Sequence, residues 1–266
     1  MEHISLKVYS EGGMALTACA PEAVSAVYHA PYKPGDRIAI GIGEVGCHYV
    51  FQLDDAMAPA VVFVRSPYIV FPVPEPGPNG FSPKSFSGTC HVLRVRKALP
   101  EEVYVRRNLC FNPYDMDSER GPGFYPHASS NVKPSSPIFA PRTAIDGVLE
   151  NDAHDAWPYE AWSSNRDPEA QLTLDFGRPV TIDELRLTLR ADYPHDSFWR
   201  SATVRFSDGT TEKLSLEMTT RPQHFSITPR TVTSLTLTEL IKNDDPSPFA
   251  ALTQLEAWGT ETLERP

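Results

Sequence analysis

The chain has 266 residues, 26 prolines beside 15 glycines, and 24 Lys and Arg against 34 Asp and Glu, for a formal charge of −10. A net negative field with no basic run excludes a phosphate backbone or an anionic membrane surface as partner. The length fits one large β domain or two of about 100–150 residues, and so many prolines disfavour a helical protein because each removes a backbone donor.

In chain order, ISLKVYS (4–10) alternates apolar and polar residues. AVSAVYH (23–29), RIAIGIG (37–43), CHYVFQL (47–53), AVVFVRS (60–66), YIVFPV (68–73) and CHVLRVRK (90–97) follow, all rich in β-branched and aromatic residues. None holds a helical period, so each predicts a strand. YKPGD (32–36) reads as a turn, and PVPEPGPNGFSPKSFSG (72–88) as a long Pro/Gly/Ser loop. From 98 to 141 the composition shifts to loop, with prolines at 113, 122, 126, 134, 137 and 141. The second half alternates again in AQLTLDFG (170–177), TIDELRLTLR (181–190), SATVRFSDG (201–209), TEKLSLEM (211–218), HFSITP (224–229), TSLTLTEL (233–240) and LTQLEAWG (252–259). The expectation is an all-β protein of two antiparallel β-sandwich or jelly-roll domains, an N-terminal one over 1–105 and a second over 106–266 that begins with a loop-rich lead-in.

Cys19, Cys47, Cys90 and Cys110 show no CxxC and no paired spacing, so they read as isolated buried thiols rather than a disulfide framework or a zinc site. No stretch approaches the roughly 18 apolar residues of a membrane span, and MEHISLKVYSEGG lacks the basic and apolar regions of a leader. A cytoplasmic protein is expected.

The motifs HASSN (127–131), APRTAIDGV (140–148), Trp162 in EAWSSN, LTLDFGRPVTIDELRL (172–187), ATVRFSDGTTEKLSL (202–216) and ALTQLEAWG (251–259) come in a specific order. In that order they resemble the discoidin, or coagulation factor 5/8 type C, domain and its galactose-binding-like relatives among carbohydrate-binding modules, over roughly 125–260. The resemblance implies a jelly roll for the second domain. The chain departs from the family pattern by lacking the terminal cysteine pair, by inserting LENDAHDAWPY (149–159), and by enriching the 190–200 loop in charge and aromatics. These departures fall where the family holds ligands, so the ligand's identity does not carry over.

The resemblance also implies a structural calcium between the Asp-Gly loop and the last strand, with Asp146 and Glu256 at the matching positions and carbonyls between 144 and 152 completing a shell of roughly six to eight oxygens. The alternative is that Asp146 makes an Asx turn. Two loops carry the chemistry a sugar requires, aromatic planes for its apolar face and two-way hydrogen-bonding groups for its hydroxyls. Both join strands at one end of the resembling fold, which nominates Asp152, His154, Trp157, Arg190, Asp192, His195, Asp196 and Trp199 as a ligand site. Trp162 reads as core. For Trp157 and Trp199 the alternative is packing against the first domain, and for Arg190 and Asp192 a local salt bridge.

Three functions remain open. The first is a non-catalytic carbohydrate-binding protein. The second is an intracellular glycoside-active enzyme or its accessory subunit, for which the histidines offer acid–base groups although HExxH, GxSxG and a phosphate-cradling loop are missing. The third is a protein–protein interaction module, as a homo-oligomer or beside a partner enzyme subunit.

Overall fold

The computed structural model describes residues 3–117, 121–151, 157–191 and 197–262. The first half contains β1 (Ile4–Ser10), β2 (Gly13–Ala20), β3 (Ala23–Tyr28), β4 (Arg37–Gly41), β5 (Cys47–Gln52), β6 (Ala60–Val64), β7 (Tyr68–Pro72) and β8 (His91–Lys97). Two short strands follow in the lead-in, β9 (Arg107–Asn108) and β10 (Phe124–Tyr125). One antiparallel sheet runs β2-β1-β4-β7 and the other β10-β6-β5-β8-β3. Successive strand residues point to opposite faces, so Ile4, Leu6 and Val8 of β1 meet Phe51, Val62, Val64, Leu93 and Val95 of the other sheet in one core. Burying each such side chain stabilises the sandwich by about 1.5–3 kcal/mol. The sequence reading has no strand at β2, whose GMALTACA holds few large apolar residues and stays half-exposed. It forms because Glu11 and Gly12 make a two-residue hairpin that pairs Ser10 with Gly13.

The second half contains β11 (His127–Ser130), β12 (Trp162–Ser163), β13 (Leu172–Arg190), β14 (Trp199–Phe206), β15 (Thr211–Ser215), β16 (Gln223–Lys242) and β17 (Ala251–Glu261). Hydrogen bonds link them in the order β12-β17-β13-β16-β14-β15, with β11 on β13 and β9 on β17. The runs 170–177 and 181–190, read as separate strands, form one 19-residue strand with a register shift between Asp175 and Val180. The runs 224–229 and 233–240 fuse likewise into β16. Bulges let a long strand turn from one layer of a sandwich into the other without losing its ladder, so the two layers share β13 and β16. At the bend Gly177 takes φ +70°, and a Cβ there would enter the ring of Tyr125. All strand pairings are antiparallel. A 3-10 helix, Pro141–Ile145, leads into the Asp146-Gly147 turn. Among the described residues no helix is long and apolar enough to cross a membrane.

The segments 107–117 and 121–126 belong to both halves. Leu109 and Cys110 enter the C-terminal core, whereas Tyr114 and Phe124 enter the N-terminal one. A buried carboxylate, Glu261 at the end of β17, joins them further. It accepts from Arg178 Nε at 2.8 Å and again from Arg178 Nη2, and from Arg107 Nη2 at 2.7 Å. His48 Nε2 of the first half lies 3.1 Å away, close enough for an ion pair but outside hydrogen-bond geometry. Burial raises the Glu261 carboxyl, but the Arg178 hydrogen bonds and the surrounding positive charge outweigh it and hold the group at about 2. None of the four cysteines is in a disulfide, and Cys110 is buried. Cys19 and Cys90 are exposed, against the expectation of buried thiols, because one sits on the open edge strand β2 and the other in the turn before β8.

Candidate functional site

The expected calcium position is built from Asp146, the carbonyls of its loop, and β17. Gly147 follows Asp146 with φ +88°, so the loop turns back toward the strand. The group that meets it there is the side-chain amide of Gln254. Its Nε2 donates to Thr143 O at 2.8 Å and to Asp146 Oδ1 at 2.6 Å, and its Oε1 accepts from Gly147 N at 3.0 Å. Those two oxygens are the kind a calcium ion would draw on, and an amide NH2 already occupies them. Asp146 Oδ1 also accepts from Val148 N, the Asx turn weighed as the alternative. Burial pushes the Asp146 carboxyl up to about 8, and its Oδ2 has no hydrogen-bond partner. Glu256 is taken up elsewhere: its Oε2 accepts from Trp258 Nε1 at 2.6 Å and stands 3.9 Å from Arg186. In this arrangement Gln254 takes up Thr143 O and Asp146 Oδ1, Glu256 is held by Trp258, and Asp146 Oδ2 is the loop carboxylate oxygen left for a cation. Among the described residues no cluster of three or more His, Cys, Asp or Glu side chains is arranged to hold a metal.

Of the expected ligand residues, Asp152, His154, Asp192, His195 and Asp196 lie outside the described residues. Trp199 is a correction. It is 2% exposed and packs on Trp162 with ring centroids 5.6 Å apart, so both tryptophans belong to the core and neither offers a face to a ligand. Arg190 is corrected as well. It is buried at the end of β13, donates from Nη1 to Tyr159 O at 2.7 Å, and lays its guanidinium 3.6 Å from the centre of the Tyr159 ring. It supports the 157–160 segment from behind.

Trp157 remains in the open, at 37% exposure. It lines a cleft of about 690 Å³ in the company of Tyr159, Glu160 and Ile138. The opposite wall comes from the first half, from Tyr32 and Lys33 after β3 and from the 74–88 loop with Asn79, Phe81 and Phe86. Trp157 also borders a smaller cavity of about 240 Å³ that reaches Asp146 and Met57. Such a volume, mostly apolar with a few polar groups, suits a small organic ligand.

The 74–88 loop is fixed to the second half by Arg142. Its Nη2 donates to Asn79 O, and its guanidinium lies 3.8 Å from the Phe81 ring centroid. Asn79 holds the loop's own bend, donating to Glu75 O at 2.7 Å and accepting from Phe81 N at 2.9 Å. At the cleft's inner wall Glu160 is only 3% exposed. Its Oε2 accepts from Tyr159 N at 3.0 Å, whereas its Oε1 has no hydrogen-bond partner. Burial raises the Glu160 carboxyl against backbone hydrogen bonds and the charges of Arg142 and Arg190.

The sequence reading missed the contribution of 74–88 and the role of Glu160. The signal was present in the loop's composition, because two phenylalanines and an asparagine are more than a solvated turn needs.

The sequence matches no protein-family model and no curated protein. Among solved structures it is similar to a chitosan-binding module of a chitosanase/glucanase from Paenibacillus sp. IK-5, at 16% identity over 57% of this chain and 99% of that one, with a TM-score of 0.38. It is also similar to a fucose-binding module of Streptococcus pneumoniae, at 10% identity over 58% of this chain and 99% of that one, with a TM-score of 0.40. A third similar structure is the lectin domain of lectinolysin complexed with Lewis B antigen, at 12% identity over 58% of this chain and 97% of that one, with a TM-score of 0.41.

Proposed function

We propose that this protein is a non-catalytic carbohydrate-binding protein and that a sugar seats in the cleft between its two halves. The observation that carries this reading is the half-open ring of Trp157 on a concave wall beside Tyr159, Glu160, Asn79 and Phe81. An indole face covers the apolar side of a pyranose, while carboxylate and amide groups meet its hydroxyls. The wall is rigid where it must be, since Arg190 backs Tyr159 and Arg142 holds the 74–88 loop. Asp152, His154, Asp192, His195 and Asp196 join as polar contacts in this proposal, because they flank Trp157 and Arg190 in sequence. The resemblance of 125–260 to carbohydrate-binding modules supports the same reading.

Titration calorimetry against a broad panel of neutral mono- and oligosaccharides tests it. Binding that disappears in Trp157→Ala, with the thermal midpoint unchanged, supports the proposal. Silence across the panel together with a stable dimer in solution would assign the aromatic wall to a protein partner and sink it.

A further inference from the structure

The loop that walls the Trp157 cleft also walls another. Between Pro74 and Phe81 it runs as a strap, and the same residues line a further cleft of about 740 Å³ that Trp157 does not reach. The crest of the strap, Glu75 to Pro78, is exposed, so one groove continues over it from the first cleft to the second. The far wall of the second cleft holds Met116, Asp117, Ser136, Pro137 and Arg142.

Arg142 is the unusual group there. It is only 9% exposed, yet it forms no ion pair with any described residue. Nη2 is spent on Asn79 O, and the guanidinium lies over Phe81. Nε and Nη1 donate to no protein acceptor, and neither is sealed away from the cleft that Arg142 lines. Burial pulls the guanidinium below its usual range, while the carboxyls of Asp146, Asp115, Glu160 and Asp117 act on it from a distance in the opposite sense. The cation therefore has counter-charge around it and lacks hydrogen-bond acceptors. The rest of the cleft complements it. Glu75 and Asp117 are exposed carboxylates that take no hydrogen bond or ion pair from any described residue, and the Ser136 hydroxyl is likewise unspent. Open donors and acceptors on a wall of Phe81, Met116 and proline rings match a pyranose, whose hydroxyls both give and accept.

We infer that the ligand is an oligosaccharide that crosses the strap, with one ring against Trp157 and another in the second cleft, where its oxygens accept from Arg142 Nε and Nη1 and its hydroxyls donate to Asp117 and Glu75. An oxygen that accepts from a guanidinium makes a charge-assisted bond, roughly twice as strong as a neutral one. The two clefts, of about 690 and 740 Å³, each have the size that holds a drug-sized ligand, more than a single sugar ring. This inference rests on the sugar-binding reading proposed above.

Calorimetric titration with β-1,4-linked gluco-, galacto- and manno-oligosaccharides, each from the monosaccharide to the hexasaccharide, tests it. In a series that binds, affinity is expected to rise about tenfold or more between the monosaccharide and the tetrasaccharide, the increment of one hydrogen bond to a charged group. Ser135→Trp places a bulky ring in the second cleft from an exposed position. It is expected to erase that rise and to leave monosaccharide affinity unchanged. Arg142→Lys keeps the charge but removes the guanidinium donors, and is expected to weaken the longer chains about tenfold. Because Arg142 also holds Asn79 O, its thermal midpoint is read alongside, and Ser135→Trp decides the question where that variant does not fold. Affinity that does not change with chain length, a rise that survives Ser135→Trp, or longer chains unaffected in a folded Arg142→Lys would overturn the inference while the Trp157 cleft stands. Absence of binding by every series would remove both.

Discussion

Replacing Glu261 by Gln strikes the group that ties the two halves together. The substitution keeps volume and removes the charge that Arg178 and Arg107 both face. Arg178 and Glu261 are each more than nine-tenths buried, and Gln would offer the guanidinium one neutral acceptor oxygen and an NH2 donor in place of two charged oxygens. Breaking a buried pair on one side costs about 3–5 kcal/mol because the other charge is left without compensation. The titration of the group gives a second route to the magnitude. A carboxyl held at about 2 instead of the ordinary 4.5 contributes about 3 kcal/mol at neutral pH. Because the folded value is depressed, that stability is fully present above the unfolded value and is lost as pH falls from about 4.5 toward 2. Calorimetric melting at pH 7 should therefore place Glu261→Gln about 6–12 °C below wild type for a loss of about 3 kcal/mol. The gap should shrink to less than half by about pH 3. A melting temperature within about 2 °C of wild type at pH 7, or a gap that does not change with pH, would refute the reasoning.

Three further outcomes follow from the same geometry. Chelators and added calcium should leave the wild-type melting temperature unchanged, whereas Gln254→Glu places a second carboxylate against Asp146 and should make the melting temperature rise on calcium addition. Trp199→Ala should cost about 3–5 kcal/mol in denaturant unfolding as a large core ring is removed, in contrast to Trp157→Ala, whose unfolding curve should overlay wild type. Gly177→Ala should cost about 2 kcal/mol or more in the same assay, because it forces a side chain into positive φ and into the Tyr125 ring.

Strand positions were readable in the sequence wherever large apolar residues alternate over a local run, as in β1, β4 and β6. β2 was not, because GMALTACA has small residues on its covered face and depends on β1 for its shape. The break between TLDFG and TIDEL reads as a turn, yet it is a bulge that keeps one strand running between two layers. Trp199 shows how a bulge misleads. Counting back in twos from Phe206, Val204 and Ala202 puts Arg200 inside and Trp199 outside. Register shifts between Trp199 and Thr203 reverse the face, so the ring enters the core. Arg190 misleads for a non-local reason: after Leu185, Leu187 and Leu189 it should face water, and the Tyr159 ring, 31 residues earlier, lies over it. The calcium expectation turned on a single residue type two positions before Glu256, since Gln254 brings an amide NH2 to the place where the resemblance implies a cation. The cleft was half legible. Trp157 stood out as an aromatic in an unusual loop, but the wall opposite it comes from residues 74–88, which local patterns could mark only as irregular.

The most direct measurement is a crystal structure of the protein with the neutral sugar that gives the strongest calorimetric signal. The account predicts a pyranose ring stacked on Trp157 between the two halves, with the 74–88 loop in contact on the far side. Sugar density elsewhere on the second half, with Trp157 untouched, would contradict it.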